Sequence, residues 1–292
     1  MKFRGRVVRG IDVGAKFGIA TANLEITDPN LDLEEGVYFV LANFQDRSLQ
    51  RPVFGLLHYG QRKTFGGDFS AEVHILDFYQ ELYGEELEIE VLHRERDVQK
   101  FQNADALFTQ VEKDILRARK FFLRREIFSQ WAELSDVDHE KLDQEAAEKI
   151  MENPFFQKAQ RVFAFAPLRY ELHFVQKICS GFPEKDYFWP KVEHEKIHFF
   201  RDRFENLRVG TSNIREPKVV FEGIPRAQDV ILVPSVALDE RNIRLGRGGG
   251  FYDRLLSETQ AHSISVVPDF AFVSELPRES HDQMVDEVFV IQ

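Results

Sequence analysis

The densest concentration of chemistry-bearing residues in the chain is Arg244-Leu-Gly-Arg-Gly-Gly-Gly-Phe-Tyr-Asp253. Gly248, Gly249 and Gly250 let the backbone take positive φ and approach a ligand closely, and peptide N–H groups leading into a helix favour an anion. Arg244 and Arg247 contribute guanidiniums whose fork matches phosphate oxygens, and Asp253 offers a carboxylate suited to magnesium. The apolar run Val230 to Pro234 precedes the segment and a helical Arg254-Leu-Leu follows it. The spacing is neither the Walker pattern nor G-x-G-x-x-G, so the residues alone indicate a nucleotide phosphate loop, with a surface loop as the plain alternative.

Two other patterns carry less. His194-Glu-Lys-Ile-His198 fits H-E-x-x-H, and Ile197, Phe200, Phe204 and Leu207 continue at helical spacing. A zinc protease needs that motif on a buried helix with a third ligand downstream, and Glu205, Glu216 and Glu222 are the nominees. In a chain with nine His and many Glu the pattern arises by chance, and a metalloprotease is not expected. Cys179, the only cysteine, follows Val175 and Ile178 in an apolar stretch, which reads as packing. One cysteine excludes an internal disulfide and a thiolate zinc cluster and fits a reducing compartment.

The elements that must position these residues belong to a folded chain of 292 residues, long enough for about two domains. With hydrophobic residues at 43% and charged residues at 30%, neither disorder nor a rod is expected. The net charge of −11 argues against a broad contact with nucleic acid or an anionic membrane, while leaving room for a local phosphate pocket. Lys2, Arg4, Arg6 and Arg9 open the chain without an apolar stretch, and no run of 18 apolar residues occurs. No signal peptide or membrane span is therefore expected, and the chain reads as cytoplasmic.

Short apolar runs at Val37 to Ala42, Val53 to His58, Ala71 to Phe78 and Leu87 to Leu92, separated by stretches containing glycine, predict a small antiparallel barrel or sandwich. No Gly or Pro occurs between Glu85 and Asn153, and Leu107, Val111, Ile115, Ala118 and Phe122 recur at helical spacing, so one long helix or two nearly continuous ones must follow. Asp136 and Asp138 are candidate N-caps for a further helix ending near Glu152, where Asn153-Pro154 stops it. Beyond Pro154, apolar runs at Arg161 to Ala166, Tyr187 to Trp189, Val230 to Val233, Ser263 to Val267 and Glu287 to Ile291 alternate with helical segments at Tyr170 to Cys179 and Tyr252 to Thr259. That alternation predicts an α/β domain with a mostly parallel sheet flanked by helices.

Asp229-Val-Ile-Leu-Val-Pro-Ser-Val-Ala-Leu-Asp239 followed by Arg244 to Asp253 resembles the signature of 5-formyltetrahydrofolate cyclo-ligases. Lys120-Phe-Phe-Leu-Arg124, Pro167 to Glu171, Trp189-Pro190-Lys191-Val192, Gly210 to Pro217 with Ile214 and Glu216, and His281-Asp282 with Val285-Asp286 resemble other segments of that family. The resemblance spans about residues 117 to 292. It implies ATP-dependent closure of 5-formyltetrahydrofolate to 5,10-methenyltetrahydrofolate through phosphorylation of the formyl oxygen, catalysed by positioning and charge neutralisation. It implies ATP contacts at Lys120, Arg124, Arg244, Gly246, Arg247, Gly248, Gly249, Gly250, Phe251, Tyr252 and Asp253, with Arg247 catalytic and Asp253 on Mg2+. It also implies folate contacts at Glu171 and Glu216, to which Trp189 is added on the chemistry of its ring alone. Aromatic chemistry suggests Phe188 or Trp189 as the ring that stacks on the pterin.

The N-terminal Gly10-Ile-Asp-Val-Gly-Ala-Lys-Phe-Gly-Ile-Ala-Thr-Ala-Asn-Leu24 resembles the G-x(3)-G-R-x-L-G-F-P-T-A-N-L motif of riboflavin kinases. Glu35-Gly-Val-Tyr38, Gly60-Gln-Arg-Lys-Thr-Phe-Gly66, Ala71-Glu-Val-His-Ile-Leu-Asp77, Leu82-Tyr-Gly84, Arg96 ahead of Phe101, and Asp114 extend the likeness over nearly all of residues 3 to 119. It implies Thr21 and Asn23 at Mg2+ and the nucleotide phosphates, and Glu72 as general base for the riboflavin 5′-hydroxyl. Three positions depart from the pattern: Ala15 stands for Arg, Ala20 for Pro and Lys63 for Pro, which removes one potential phosphate contact and loosens two turns.

Together the resemblances imply a Greek-key barrel domain over 1–119 and a cyclo-ligase-like α/β domain over 120–292, both using ATP and Mg2+. The expected partners are 5-formyltetrahydrofolate and riboflavin, with no nucleic acid or membrane. The alternative is a cyclo-ligase alone, its N-terminal domain a degenerate flavin-binding or interaction module.

Overall fold

The computed structural model describes residues 1–9, 19–28, 31–44, 52–64, 69–194, 196–210 and 214–292. Its chain divides into two compact units, Met1–Phe122 and Leu123–Gln292.

The first unit is a closed barrel of six antiparallel strands: β1 (Lys2–Val8), β2 (Ala22–Ile26), β3 (Gly36–Phe44), β4 (Val53–Gln61), β5 (Phe69–Ile75) and β6 (Glu86–Arg96), in the order β1-β2-β5-β4-β3-β6. Strands β3, β4 and β5 form a meander, and β2 returns beside β5 instead of its sequence neighbour β3, which makes a Greek key. Two of the six strands, β1 and β2, were not among the expected runs. β1 buries Phe3, Gly5 and Val7 while Lys2, Arg4 and Arg6 face out, the period-2 alternation that closes a barrel around one core. Leu24, Val40, Leu57, Val73, Leu87 and Ile89 fill that interior. A second cluster on the outer face joins Val37, Phe39 and Leu56 to Ala118 and Phe122 of the helix that follows.

That helix, α1 (Ala104–Glu133), is continuous over 30 residues and carries both Lys120 and Arg124. It is followed by α2 (Asp136–Glu152), whose N-cap is Ser135 and not Asp136 or Asp138: Asp138 donates its backbone N–H to Ser135 Oγ at 3.2 Å. Asn153 ends α2 and caps α3 (Pro154–Lys158), its side chain accepting from Phe155 and Phe156 N–H.

The second unit then runs β7 (Arg161–Phe163), α4 (Val175–Gly181), β8 (Asp186–Glu193), β9 (Lys196–Arg201), β10 (Arg208–Val209), β11 (Arg215–Glu216), β12 (Glu222–Gly223), β13 (Val230–Leu232), β14 (Ala237–Asp239), β15 (Arg244–Leu245), α5 (Phe251–Glu258), β16 (His262–Pro268), β17 (Phe272–Val273) and β18 (Glu287–Ile291). Seven of these strands form a sheet in the order β12-β9-β8-β7-β13-β16-β18. Its β8-β7-β13-β16-β18 part is parallel, as expected for the alternating pattern, while β9 and β12 add antiparallel edge strands. Ranked by chain position the parallel strands read 2-1-3-4-5, so the direction of winding reverses between β7 and β13. In such sheets the crevice beyond the strand ends at this reversal is where ligands bind. The H-E-x-x-H segment lies on the β8–β9 hairpin, with Lys191 opposite His198, which removes the helix a zinc protease requires; its Glu195 lies outside the described residues.

Candidate active sites

In the α/β unit the crevice at the β7–β13 reversal is lined by Phe165, Glu171, Leu172 and Phe174 from the segment after β7, by Val233, Pro234 and Ser235 after β13, and by Ile264 and Val266 of β16. The glycine-rich loop follows β15. Gly248 has φ +105° and Gly250 φ +65°, and Gly250 is the N-cap of α5. The left-handed conformation thus falls on the first and third glycines. The middle one is restricted for a different reason, since a Cβ on Gly249 would sit 2.6 Å from the Phe251 ring.

The two loop arginines are fixed differently. Arg244 is buried and donates through Nη2 to Asp253 Oδ2 at 3.0 Å and through Nη1 to the carbonyl of Pro234 at 3.1 Å. Its Nε and the hydroxyl of Tyr252 are both buried with no partner among the described residues. Burial pushes the Arg244 guanidinium below its ordinary value, with Asp253 opposing. Buried donors left open are uncommon in proteins, and an acceptor-rich group such as a phosphate would satisfy them. Arg247 instead reaches out of the loop: Nε donates to Glu171 Oε1 at 2.7 Å and Nη2 to the carbonyl of Arg169. The other Glu171 oxygen accepts from Leu168 N–H at 2.9 Å.

Arg124 donates through Nε to the carbonyl of Gly246 at 2.7 Å, pinning the start of the loop. Burial lowers its guanidinium, while the nearby Asp282 and Glu279 carboxylates raise it. Asp253 Oδ1 accepts a long 3.4 Å contact from Gln283 N–H, which leaves that oxygen with capacity for a hard cation. Lys120, four residues before Arg124 on α1, is also buried.

The expected folate contacts fare unequally. Glu171 is in the pocket wall. Trp189 is fully buried, and its indole N–H donates to the carbonyl of Asp202 at 2.9 Å. Phe188 stacks on Phe163 with 4.8 Å between centroids. Both rings are buried in the core cluster and leave no open face for a pterin; the aromatic rings that line the pocket are Phe165 and Phe174. Glu216 sits on the small β10–β11 ribbon with its carboxylate folded over Gly210, where a Cβ would come within 2.4 Å of it. Residues 211–213 lie outside the described residues.

In the barrel, strand pairing gathers the site. The β2–β5 register sets Asn23 opposite Glu72, and Thr21 Oγ1 lies 3.5 Å from Glu72 Oε2. Ser70 Oγ donates to Glu72 Oε1 at 2.9 Å. Arg62, to which the sequence assigns no role, binds both partners: its Nε donates to Glu72 Oε1 at 2.7 Å and its Nη2 to Asn23 Oδ1 at 2.6 Å. The signal for it is its place in the Gly60 to Gly66 segment. Hydroxyl, amide and carboxylate oxygens at one point are a donor set that magnesium accepts. On β4, His58 pairs across from Glu72, and burial lowers its pKa against the opposing pull of that carboxylate.

Of the three departures, Ala15 and the glycines of its motif lie outside the described residues. At Lys63 the turn is held rather than loosened. Its backbone N–H, which proline lacks, donates to Gln61 O at 2.9 Å, and its ammonium reaches the carbonyl of Val98 at 3.1 Å. Ala20 offers its carbonyl to His74 Nδ1 at 2.7 Å.

A six-stranded Greek-key barrel with an oxygen-rich cluster, joined in one chain to an α/β unit with an anion cradle at its winding reversal, defines a two-module protein. Residues 1–122 match the family model of riboflavin kinase and residues 116–291 that of the 5-formyltetrahydrofolate cyclo-ligase family. The chain therefore belongs to the 5-formyltetrahydrofolate cyclo-ligase family and carries a riboflavin kinase domain ahead of that part. It is similar to the 5,10-methenyltetrahydrofolate synthetase of Aquifex aeolicus, whose NMR structure aligns with 30% identity and a TM-score of 0.54 over 59% of this chain and 89% of that one. It is also 34% identical over 119 residues to the bifunctional riboflavin kinase/FMN adenylyltransferase of Haemophilus influenzae, covering 40% of this chain and 37% of that protein. The RNA-binding riboflavin kinase RibR of Bacillus subtilis is 30% identical over 141 residues, 48% of this chain and 59% of that protein. The chain thus spans less than two thirds of the length of these curated relatives. Among the described residues, no helix is long and apolar enough to cross a membrane.

Proposed function

We infer that the protein is a bifunctional enzyme of the cytoplasm, with residues 120–292 converting 5-formyltetrahydrofolate to 5,10-methenyltetrahydrofolate and residues 1–119 phosphorylating riboflavin to FMN, both at the expense of ATP. The observation that carries the reading is the glycine-rich loop: two positive-φ glycines and a buried arginine with an open donor stand beside a pocket that holds a carboxylate. The net charge of −11 favours small-molecule substrates over nucleic acid, although RibR of Bacillus subtilis is named as RNA-binding.

In the first reaction the formyl oxygen attacks the γ-phosphorus of ATP and ADP leaves. N10 then attacks the formyl carbon, the carbon–oxygen bond to phosphate breaks, and N10 gives up its proton as the ring closes. A bound Mg2+ would supply neutralisation of charge on the phosphates, with Asp253 to hold it in this unit and Thr21 and Asn23 in the barrel. The chain's own task is to place the reactants and to meet the charge that develops. Arg244, fixed by Asp253 and Pro234, presents a guanidinium that does not need to reorganise. Arg124 holds the loop through Gly246, and Gly248 to Gly250 bring peptide N–H groups to the phosphates. Arg247 meets the transferring group, and Glu171 receives the pterin side. In the barrel, Glu72 accepts the proton of the riboflavin 5′-hydroxyl, and Arg62 must release it first.

The test supplies the full chain with MgATP and, separately, 5-formyltetrahydrofolate or riboflavin, following the methenyl chromophore and FMN. Both products are expected. The Arg62 contacts to both Glu72 and Asn23 favour one second reading, a barrel that binds flavin without phosphorylating it. Riboflavin binding without FMN formation would establish that reading.

A further inference from the structure

One ion pair joins the two halves of the α/β site. Arg247 stands on the glycine-rich loop between Gly246 and Gly248, and Glu171 stands in the pocket wall at the β7–β13 reversal. The Glu171 side chain is only 7% exposed and faces the Arg247 guanidinium at 2.7 Å. A buried carboxylate deprived of its cation is strongly disfavoured unless another donor takes the place. Arg247, by contrast, is 36% exposed, so an entering ligand can reach its guanidinium.

Its Nε is committed to Glu171 and its Nη2 to the Arg169 carbonyl. A polyphosphate entering the loop presents more negative charge, and in better fork geometry, than one carboxylate does. We propose that polyphosphate binding draws Arg247 away from Glu171, and that the uncovered carboxylate then recognises a pocket ligand bearing paired N–H donors, so that the two ligands bind synergistically. This rests on the cyclo-ligase reading for the identity of the ligands and adds how their sites communicate. Without nucleotide, the donor-bearing ligand must itself displace Arg247. With nucleotide, that displacement is already done. Linkage makes the effect reciprocal, and a coupling of about tenfold is the expected scale.

The experiment is calorimetry on the full chain with two probes, the Mg2+ complex of the non-hydrolysable β,γ-imido analogue of ATP and 5-formyltetrahydrofolate, each titrated alone and then against protein saturated with the other. Each should tighten the other by the same factor, about tenfold. In Glu171→Gln the ion pair is absent from the start, so the nucleotide analogue alone should bind more tightly than to the unmodified protein and the coupling should fall toward one. A merely structural Glu171 predicts the opposite, weaker analogue binding through a disordered loop. Arg247→Ala supplies an independent check. With Glu171 uncovered, 5-formyltetrahydrofolate should bind at least as well without nucleotide as it binds the unmodified protein with it, and addition of the analogue should change nothing. Binding of both probes with independent affinities overturns the coupling while leaving the cyclo-ligase reading intact. Binding of neither overturns that reading and the coupling with it.

Discussion

The barrel and the α/β unit build their sites by opposite means. In the barrel, Asn23 and Glu72 stand on adjacent strands and are brought together by register, with Arg62 and Ser70 closing the hydrogen bonds around them. In the α/β unit the phosphate residues lie on a loop whose shape depends on Gly248 and Gly250 at positive φ and on two arginines anchored elsewhere. A site carried by strand pairing tolerates changes in the turns around it, because the ladder fixes its geometry. A site carried by a loop depends on the few residues that hold the loop in shape.

The largest effect is expected at Arg244. Arg244→Met removes one partner of a buried pair and leaves Asp253 uncompensated, which should cost about 3–5 kcal/mol of stability, read by chemical denaturation. Ring closure should fall by roughly 10²–10³-fold, as for loss of a preorganised donor, with FMN formation unchanged. A ring-closure rate within a few-fold of normal would refute the role given to Arg244.

Glu72→Gln comes next, lowering FMN formation by roughly 10²-fold through loss of the general base while leaving the methenyl product unaffected. The glycines separate two kinds of constraint. Gly248→Val should cost about 1–3 kcal/mol through backbone strain, because a branched side chain is disfavoured at positive φ. Its φ is +105°, although the nearest atom to a Cβ there lies 3.8 Å away. Gly249→Val fails against the Phe251 ring instead, so Phe251→Ala in the same chain should restore nucleotide binding for Gly249→Val and not for Gly248→Val. Equal behaviour of the two pairs would mean the loop is not held as described.

Smaller effects are expected away from the sites. Lys63→Pro removes both the N–H bond to Gln61 and the ammonium bond to Val98. It should lower the urea midpoint by an amount equivalent to about 1 kcal/mol, the scale of a modest net hydrogen-bond loss. At Cys179, burial pushes the thiol from 9.0 up to about 12. The unfolded chain releases that proton from about pH 9 upward while the folded chain keeps it, so stability is unaffected below about pH 9 and falls between there and about pH 12. Cys179→Ala should reduce the stability lost on going from neutral to strongly alkaline buffer, as read by urea denaturation at each pH.

Much of this architecture was legible in the residues. The runs at Val37, Val53, Ala71 and Leu87 became β3 to β6, and Glu287 to Ile291 is β18 residue for residue. The absence of Gly and Pro from 85 to 153 is why α1 is unbroken for 30 residues. β1 was hidden because Lys2, Arg4 and Arg6 dominate its composition, and only closure of the barrel shows that its alternate residues face a core. Trp189 shows the opposite limit. An aromatic beside Pro190 and Lys191 reads equally well as a ligand platform or as core, and only the full burial of the Trp189 ring decides for core. Arg62 escaped assignment although it stands in the Gly60 to Gly66 segment, because that segment gives it no partner, and its bond to Asn23 spans 39 residues.

The register of β2 against β5 also has a consequence in time. Thr21 and Glu72 are 51 residues apart, and the barrel shuts only when Lys2 of β1 meets Glu90 of β6. Contacts of such long sequence separation form late and slow folding, because the loop they close must be ordered before they reward it. A chain emerging from synthesis therefore holds Thr21 and Asn23 well before it holds Glu72 beside them, and the oxygen cluster exists only once the barrel is nearly whole. Magnesium or nucleotide that binds this cluster would bind no earlier state, and so would act on the folding equilibrium at its last step, stabilising the closed barrel by mass action.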